Sequence, residues 1–300
     1  MPMLRRVQKY IRDHELIARG DRVLVCVSGG ADSIALLDVL VRGGYECVVA
    51  HCNFHLRGAE SDRDEQAVSS SPVLFRQGKR TIPLYIKHFD TQAYAVAHHL
   101  SIEMAARELR YRWFAELAEL LDCKAIAVAH HQNDQAETVL LNLKRGAGIR
   151  GLCGMRPKSS NPAGEGSVPV IRPLLCTTRD YIEHYLRDIR HLPWVTDSTN
   201  ADTHIARNAV REQLRGYSKS EIEHIAATAE HIQGYVDWIE QHDSREAQRV
   251  QLYERLRPYH FPQVDEIYDA LQRGEGGKVF YSPSHKAVIK KGELCVTTVS

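Results

Sequence analysis

Hydrophobic positions in the first two thirds of the chain fall into short unbroken runs that alternate with helically spaced ones. Val23, Leu24, Val25 and Val27 suit a strand buried on both faces, and Ile34, Leu37, Leu40 and Val41 then recur at helical spacing. Further runs follow: ECVVAH near 46–51, IPLYIKHF near 82–89 and KAIAVAH at 124–130. This alternation predicts an α/β fold, a Rossmann-like parallel sheet with helices on both faces. Pro72 and the serines of 69–80 interrupt a helical pattern, which predicts a surface loop. A second loop is expected at 157–169, rich in Pro, Gly and Ser. After Gly216 the character changes. Ile222, Ile225, Ala229, Ile232, Val236 and Ile239 mark one long helix, and GKVFYSPSHKAVIKKGELCVTT reads as strands joined by turns. The expected organisation is a main domain over 1–216 and a smaller α+β domain over 217–300.

Parallel sheets bind ligands beyond the carboxyl ends of their strands, and the polar clusters of this chain lie there. Ser28-Gly29-Gly30-Ala31-Asp32-Ser33 falls at a strand-to-helix junction, where free backbone N–H groups accumulate. Two glycines permit close approach, two serines add hydroxyls, and the helix N-terminus favours an anion. The hexapeptide therefore reads as a phosphate cradle, in which Asp32 can hold a magnesium ion or orient a donor. The string GxxxxGK[ST] is absent, which disfavours a cradle built around that motif's lysine. Gly146-Ala147-Gly148-Ile149-Arg150-Gly151 spells GxGxxG but follows a helical pattern instead of a strand, so it is not read as a dinucleotide site.

Other polar groups gather after strand ends. On a helix expected at 132–145, Ala136, Val139, Leu140 and Leu143 form one face, leaving Asp134 and Glu137 presented together. Such carboxylates can bind magnesium, accept a proton or attract an amine, and the alternative is a solvated acidic first turn. His51 and His130 are candidates for phosphate or substrate contact; no third ligand completes a zinc set around the histidines. In SIEMAARELRYRWF, Ile102, Ala105, Leu109 and Trp113 read as the buried stripe, with Glu103, Arg107 and Arg110 along another flank. An arginine above a nucleotide stabilises phosphate charge, although Glu103 and Arg107 are equally spaced for a helical ion pair. Arg207, Arg211 and Arg215 lie on one side of a later helix, suited to a phosphate backbone or to a solvated face.

Bulk properties narrow the class only in part. The 300 residues carry a net charge of +1, so a nucleic-acid partner is not announced by composition. Seven cysteines without a CxxC pair favour a reducing compartment. The start lacks a signal-peptide core and no run approaches ~18 apolar residues, so a cytoplasmic protein with no membrane partner is expected.

With these pieces in order, the chain resembles the tRNA(Ile)-lysidine synthetase family, within the ATP pyrophosphatases that share the SGGxDS loop. The likeness rests on SGGADS, HCNFHLRGAESDRDE, SIEMAARELRYRWF, HHQNDQAETVLLNLKRGAGIRGLCGM, IRPLL, DSTN and IARNAVR, in the family's order over residues 28–211. The resemblance implies ATP bound at Ser28, Gly29, Gly30, Ala31, Asp32 and Ser33 with Mg2+ at Asp32. The partners it implies are an isoleucine tRNA with a CAU anticodon and L-lysine; a homodimer is compatible with the sequence. The enzyme would adenylate the wobble cytidine and let lysine attack it, releasing AMP and pyrophosphate. Asp134 and Glu137 would orient and deprotonate the amine, Arg107 and Arg207 would neutralise phosphate, and Arg145 and Arg211 would face the tRNA or phosphate. The 217–300 domain would be tRNA-related. Two positions depart from the pattern: Phe54 then His55 where many relatives have histidine then glycine, and Ile205 where a tyrosine often precedes the Arg207-Asn208 pair. No role is carried over from that histidine. The rival readings are another tRNA-modifying ATP pyrophosphatase such as a thiolase, which needs catalytic or cluster-binding cysteines, and a non-catalytic nucleotide- or RNA-binding module.

Overall fold

A computed structural model describes every residue except 77–78, 165–167, 196–204, 242–244, 291 and 300, with backbone alone at 76, 80 and 205–208. The chain opens with α1 (Met3–Asp13), β1 (Arg22–Cys26), α2 (Ala31–Gly43), β2 (Glu46–Asn53) and α3 (Ala59–Ser69). A short hairpin of β3 (Phe75–Arg76) and β4 (Lys79–Arg80) leads to β5 (Leu84–His88), α4 (Thr91–Ala97) and α5 (Ile102–Leu120). Next come β6 (Ala125–Ala127), α6 (Gln132–Lys144), α7 (Ile149–Leu152), β7 (Lys158–Ser159), β8 (Val170–Ile171) and α8 (Arg179–His184). The helices α9 (Ile205–Arg215), α10 (Lys219–Gln241), α11 (Arg245–Leu256) and α12 (Val264–Gln272) precede β9 (Val279–Tyr281), β10 (His285–Lys290) and β11 (Glu293–Thr298).

The main sheet runs β5-β2-β1-β6-β8-β7, parallel except for the β7–β8 pair. Successive side chains of a strand point to opposite faces, and β1 buries both. Val23 and Val25 join the core formed with Met3, Val7 and Ile11 of α1 and the apolar stripe of α2. Leu24 joins the opposite core, against Tyr111, Phe114 and Leu117 of α5. The expected parallel sheet with helices on both faces is what the chain forms, with the short antiparallel β7 added at one edge. Between β1 and β6 the strand order reverses: the chain steps from β1 outward to β2 and β5 on one side, and from β6 to β8 on the other. Connections leaving the two central strands diverge there, opening a crevice above their carboxyl ends.

Three details differ from the sequence expectation. Residues 69–80 do interrupt the helix after Ser69, but they fold into a short 3-10 turn and the β3–β4 hairpin, pinned by fully buried Leu74. On α5, Ile102 is exposed and the buried side is carried by Ala105, Ala106, Tyr111, Trp113 and Phe114, because the first turn does not share in the core packing of the later ones. On α6, Leu143 is exposed while Leu141 and Glu137 are buried, because α9 packs on this helix through Val210 and Leu214 and selects a different face.

The chain divides into two compact units, Met1–Arg145 with Cys153–Ala229, and Gly146–Leu152 with Glu230–Ser300. The division falls within α10, thirteen residues beyond the Gly216 boundary expected from composition (229 − 216). Continuous helix carries no composition break at such a point. In the second unit, Leu256, Ile267, Ala287 and Ile289 centre a core between α11, α12 and the antiparallel β9–β10–β11 sheet. The GxGxxG string belongs to this unit and follows α6 directly, without a strand before it.

Candidate active site

The loop after β1 is shaped by its own hydroxyls. Ser33 Oγ accepts from the backbone N–H of Ser28 and of Gly29, both at 3.2 Å, and donates to the Gly30 carbonyl at 2.8 Å. Gly29 sits at φ +97°, a conformation that side-chain-bearing residues rarely adopt. Its carbonyl accepts from the backbone N–H of Val195 at 3.0 Å, which straps a second segment over the loop. Helix α2 then starts at Ala31 with Gly30 as N-cap, so the first-turn amides have no partner within the helix and face the loop. His51, buried at 4% exposure, donates from Nδ1 to the Val27 carbonyl at 2.8 Å. Burial keeps its pKa below the usual value in spite of that carbonyl, so the ring is neutral.

Ser28, Gly30, Asp32 and Ser33 form one wall of a pocket of about 320 Å³. His130 and Asp134, from the end of β6 and the first turn of α6, form another; Phe54, Arg110, Tyr111 and Phe114 supply an aromatic and cationic side. Arg110 lies 5.1 Å over the Phe54 ring, which stacks on Phe89 at 5.3 Å. The arrangement offers hydroxyls, a helix start and a cation for phosphates, with flat apolar surface for a base.

Charge is concentrated around two carboxylates. Arg179 Nη1 donates to Asp32 Oδ2 at 2.9 Å. Buried His131 stands between the acids, its Nε2 3.6 Å from Asp32 Oδ1 and its Nδ1 3.4 Å from Asp134 Oδ2. Asp134 also caps α6, accepting from the His131 backbone N–H at 2.9 Å. Burial opposes ionisation of Asp32, but His131 and Arg179 outweigh it and hold its pKa below the ordinary value. For His131 burial opposes protonation, and Asp134 and Asp32 outweigh it, raising the pKa. His130 goes the other way: burial, only partly offset by Asp134, lowers it to about 4. A magnesium ion, which takes one or two carboxylates plus phosphate and water oxygens, fits this donor set. The buried Oδ1 of Asp32 has no hydrogen-bond partner and is the spare acceptor.

The structure thus brings together Ser28, Gly30, Asp32, Ser33, His130 and Asp134 from the sequence candidates. Gly29, Ala31 and His51 support the loop from behind and do not line the pocket. Glu137 is buried, with its Oε2 receiving Arg211 Nε at 2.8 Å, so both residues serve the α6–α9 packing instead of presenting a free carboxylate and a free cation. Glu137 stands three residues, nearly one turn, further along α6 than Asp134, where α9 packs, so one acid meets the pocket and the other an interface. Arg107 is exposed and lies 5.0 Å over the Tyr111 ring, outside the pocket lining; Arg110, three residues on, takes the pocket position. Arg145 is exposed at the C-cap of α6, and the Arg207 side chain lies outside the described residues. Sequence reasoning passed over Arg179. Arg179 meets Asp32 across 147 positions and carried no local signal; the HH pair did signal His131, but only the fold told the two rings apart.

Cys26 and Cys52 also line the pocket, and burial pushes the Cys26 thiol well up and that of Cys52 to about 12. Thiols held protonated are poor nucleophiles and metal ligands. Among the described residues no group of three or more His, Cys, Asp or Glu side chains is arranged to hold a metal by itself.

A glycine-hydroxyl loop opening α2 at the switch point of a parallel sheet defines an ATP-using PP-loop domain, and the model of that domain matches residues 2–217. A second family model, the TilS substrate binding domain, matches residues 238–299. Among curated relatives, the tRNA(Ile)-lysidine synthase of Parabacteroides distasonis is 41% identical, covering 99% of this chain and 70% of its own. That of Porphyromonas gingivalis is 42% identical over 98% of this chain and 68% of its own. The chain belongs to the tRNA(Ile)-lysidine synthase family. In fold it is similar to a U34-tRNA thiolase from Methanococcus maripaludis, with a TM-score of 0.58 at 17% identity over 76% of this chain and 77% of that one.

Proposed function

We propose that the protein is a carbon–nitrogen ligase that uses ATP to convert the wobble cytidine of an isoleucine tRNA with a CAU anticodon to lysidine. O2 of the cytidine attacks the α-phosphorus of ATP, and pyrophosphate leaves with the electrons of the broken P–O bond. The side-chain amine of L-lysine then attacks C2; the C2–O bond breaks toward AMP, and the amine gives up a proton. An exocyclic carbonyl oxygen of this kind leaves only once adenylated, and an amine attacks only when deprotonated.

The chain's residues divide this work. Ser28, Gly30 and Ser33 with the start of α2 receive the phosphates, and Arg110 lies on the same pocket as a counter-charge. Asp32 would hold magnesium, which when bound supplies charge neutralisation to the triphosphate. Asp134 is the carboxylate open to the pocket and is assigned to orient the lysine amine and take its proton. Neutral His130 beside it can hydrogen-bond without adding charge. Glu137 acts through α9, by way of Arg211.

The single observation that carries the reading is the joint placement of SGGADS and Asp134 around one pocket in a chain of this family. The test incubates the protein with ATP, magnesium, radiolabelled L-lysine and tRNA bearing a CAU anticodon. Lysine-dependent label in the tRNA with stoichiometric AMP and pyrophosphate is expected. No label, or label that enters without ATP, would overturn the reading.

A further inference from the structure

Asp32 is a liability as well as a ligand. Together with Asp134 it places two carboxylates on the same pocket as the loop that receives a polyanion. At close range like charges repel, and a triphosphate entering beside an uncompensated Asp32 is disfavoured. Arg179 sits behind this carboxylate. It does not line the pocket, yet its guanidinium is fixed by Nη1 to Asp32 Oδ2 at 2.9 Å and by Nε to Glu183 Oε1 at 2.9 Å. Its own backbone N–H donates to Asn133 Oδ1 at 3.0 Å, in the first turn of α6. One residue of α8 therefore ties the signature loop's acid to the helix that carries Asp134. The planar fork can satisfy Asp32 and Glu183 at once, which an ammonium group does less well.

We propose that Arg179 is a positioning residue for nucleotide binding, acting through Asp32: it fixes that carboxylate's orientation and cancels its charge where the triphosphate docks. The inference rests on the reading of the Ser28–Ser33 loop as the ATP site. It assigns Arg179 no contact with substrate.

Binding of α,β-methylene-ATP with magnesium, measured by titration calorimetry on the full chain, tests it. Arg179→Gln is expected to weaken binding about tenfold and Arg179→Lys to restore most of the loss. Because Arg179 acts through Asp32, the double variant Asp32→Asn/Arg179→Gln should bind no more weakly than Asp32→Asn alone, a coupling that a merely structural arginine does not produce. Arg179→Gln binding within twofold of wild type, or losses that multiply in the double variant, would overturn the inference and leave the loop reading intact. A wild-type chain that fails to bind the analogue would overturn both. If Arg179→Gln does not fold by circular dichroism, Arg179→Met, which keeps the apolar stem and removes the charge, decides: weaker binding at unchanged Tm supports the inference, and unchanged binding overturns it.

Discussion

At the scale of single residues, the chemistry of this pocket follows from which side chains share Asp32 and Asp134. Asp134 caps its own helix and still opens to the pocket, so its removal strikes chemistry before stability. Asp134→Asn is expected to lower lysine incorporation by about a hundredfold or more while the ATP analogue still binds; single-turnover kinetics beside calorimetry would separate the two. His130 gives a pH signature. Its folded pKa, about 4, lies below the unfolded value of 6.5, so the unfolded chain binds the extra proton between those values. Stability from this group is complete above about pH 6.5 and is lost as pH falls toward 4. His131 has the opposite sign, its raised pKa adding stability that is lost as pH rises through that value. Denaturant midpoints for His130→Asn are therefore expected to fall less steeply from pH 6.5 to 4 than those of the wild type. Gly29, at φ +97°, makes the backbone argument: Gly29→Ala should cost about 1–3 kcal/mol and weaken nucleotide binding, whereas Gly30, at φ −71°, carries no such strain.

At the scale of elements, the site depends on helices that never touch substrate. Helix α9 buries Val210 and Leu214 against Ala136 and Leu141 of α6, and the Glu137–Arg211 pair closes that contact. Arg211→Ala leaves a buried carboxylate without this partner and is expected to destabilise the protein by about 3 kcal/mol, read from equilibrium unfolding. A parallel lock lies on α2. Asp38, 3% exposed, accepts two bonds from Arg190 at 2.8 and 3.0 Å and one from the Tyr185 hydroxyl at 2.5 Å. Tyr185 and Arg190 bound a π-helical turn, and the segment after it reaches Val195, whose amide bonds Gly29. Arrangements of this kind were only half legible in the sequence. The helix at 132–145 and its first-turn acid were plain from spacing, but α9 decided that Glu137 faces inward. Likewise SIEMAARELRYRWF announced a helix with arginines, while its packing on the sheet chose Arg110 over Arg107 for the pocket.

At the scale of the whole molecule, the PP-loop domain and the TilS substrate binding domain occupy successive stretches of one chain, and among the described residues no helix is long and apolar enough to cross a membrane. A net charge of +1 gives little long-range attraction for a polyanion as large as tRNA, so binding must rest on local basic groups. Binding of tRNA is accordingly expected to weaken at least about tenfold between roughly 50 and 200 mM salt, more steeply than binding of the ATP analogue, as measured by fluorescence anisotropy. A flat salt response would count against phosphate contacts as the main source of affinity.

The sequence by itself determined β1, β2, β5 and β6, the helices α2 and α6 and the cradle, while the short β3–β4 hairpin and β7 fell in stretches that read as loops. The former depend on hydrophobic period and on a glycine-hydroxyl loop at a strand end, and both are local properties of neighbouring residues. Only the tertiary structure decided which charges meet. Arg179 reaches Asp32 across 147 positions, Arg211 reaches Glu137 across 74, and Arg190 reaches Asp38 across 152. Electrostatic partnership depends on distance in space and on burial, and neither is written in the spacing along a chain.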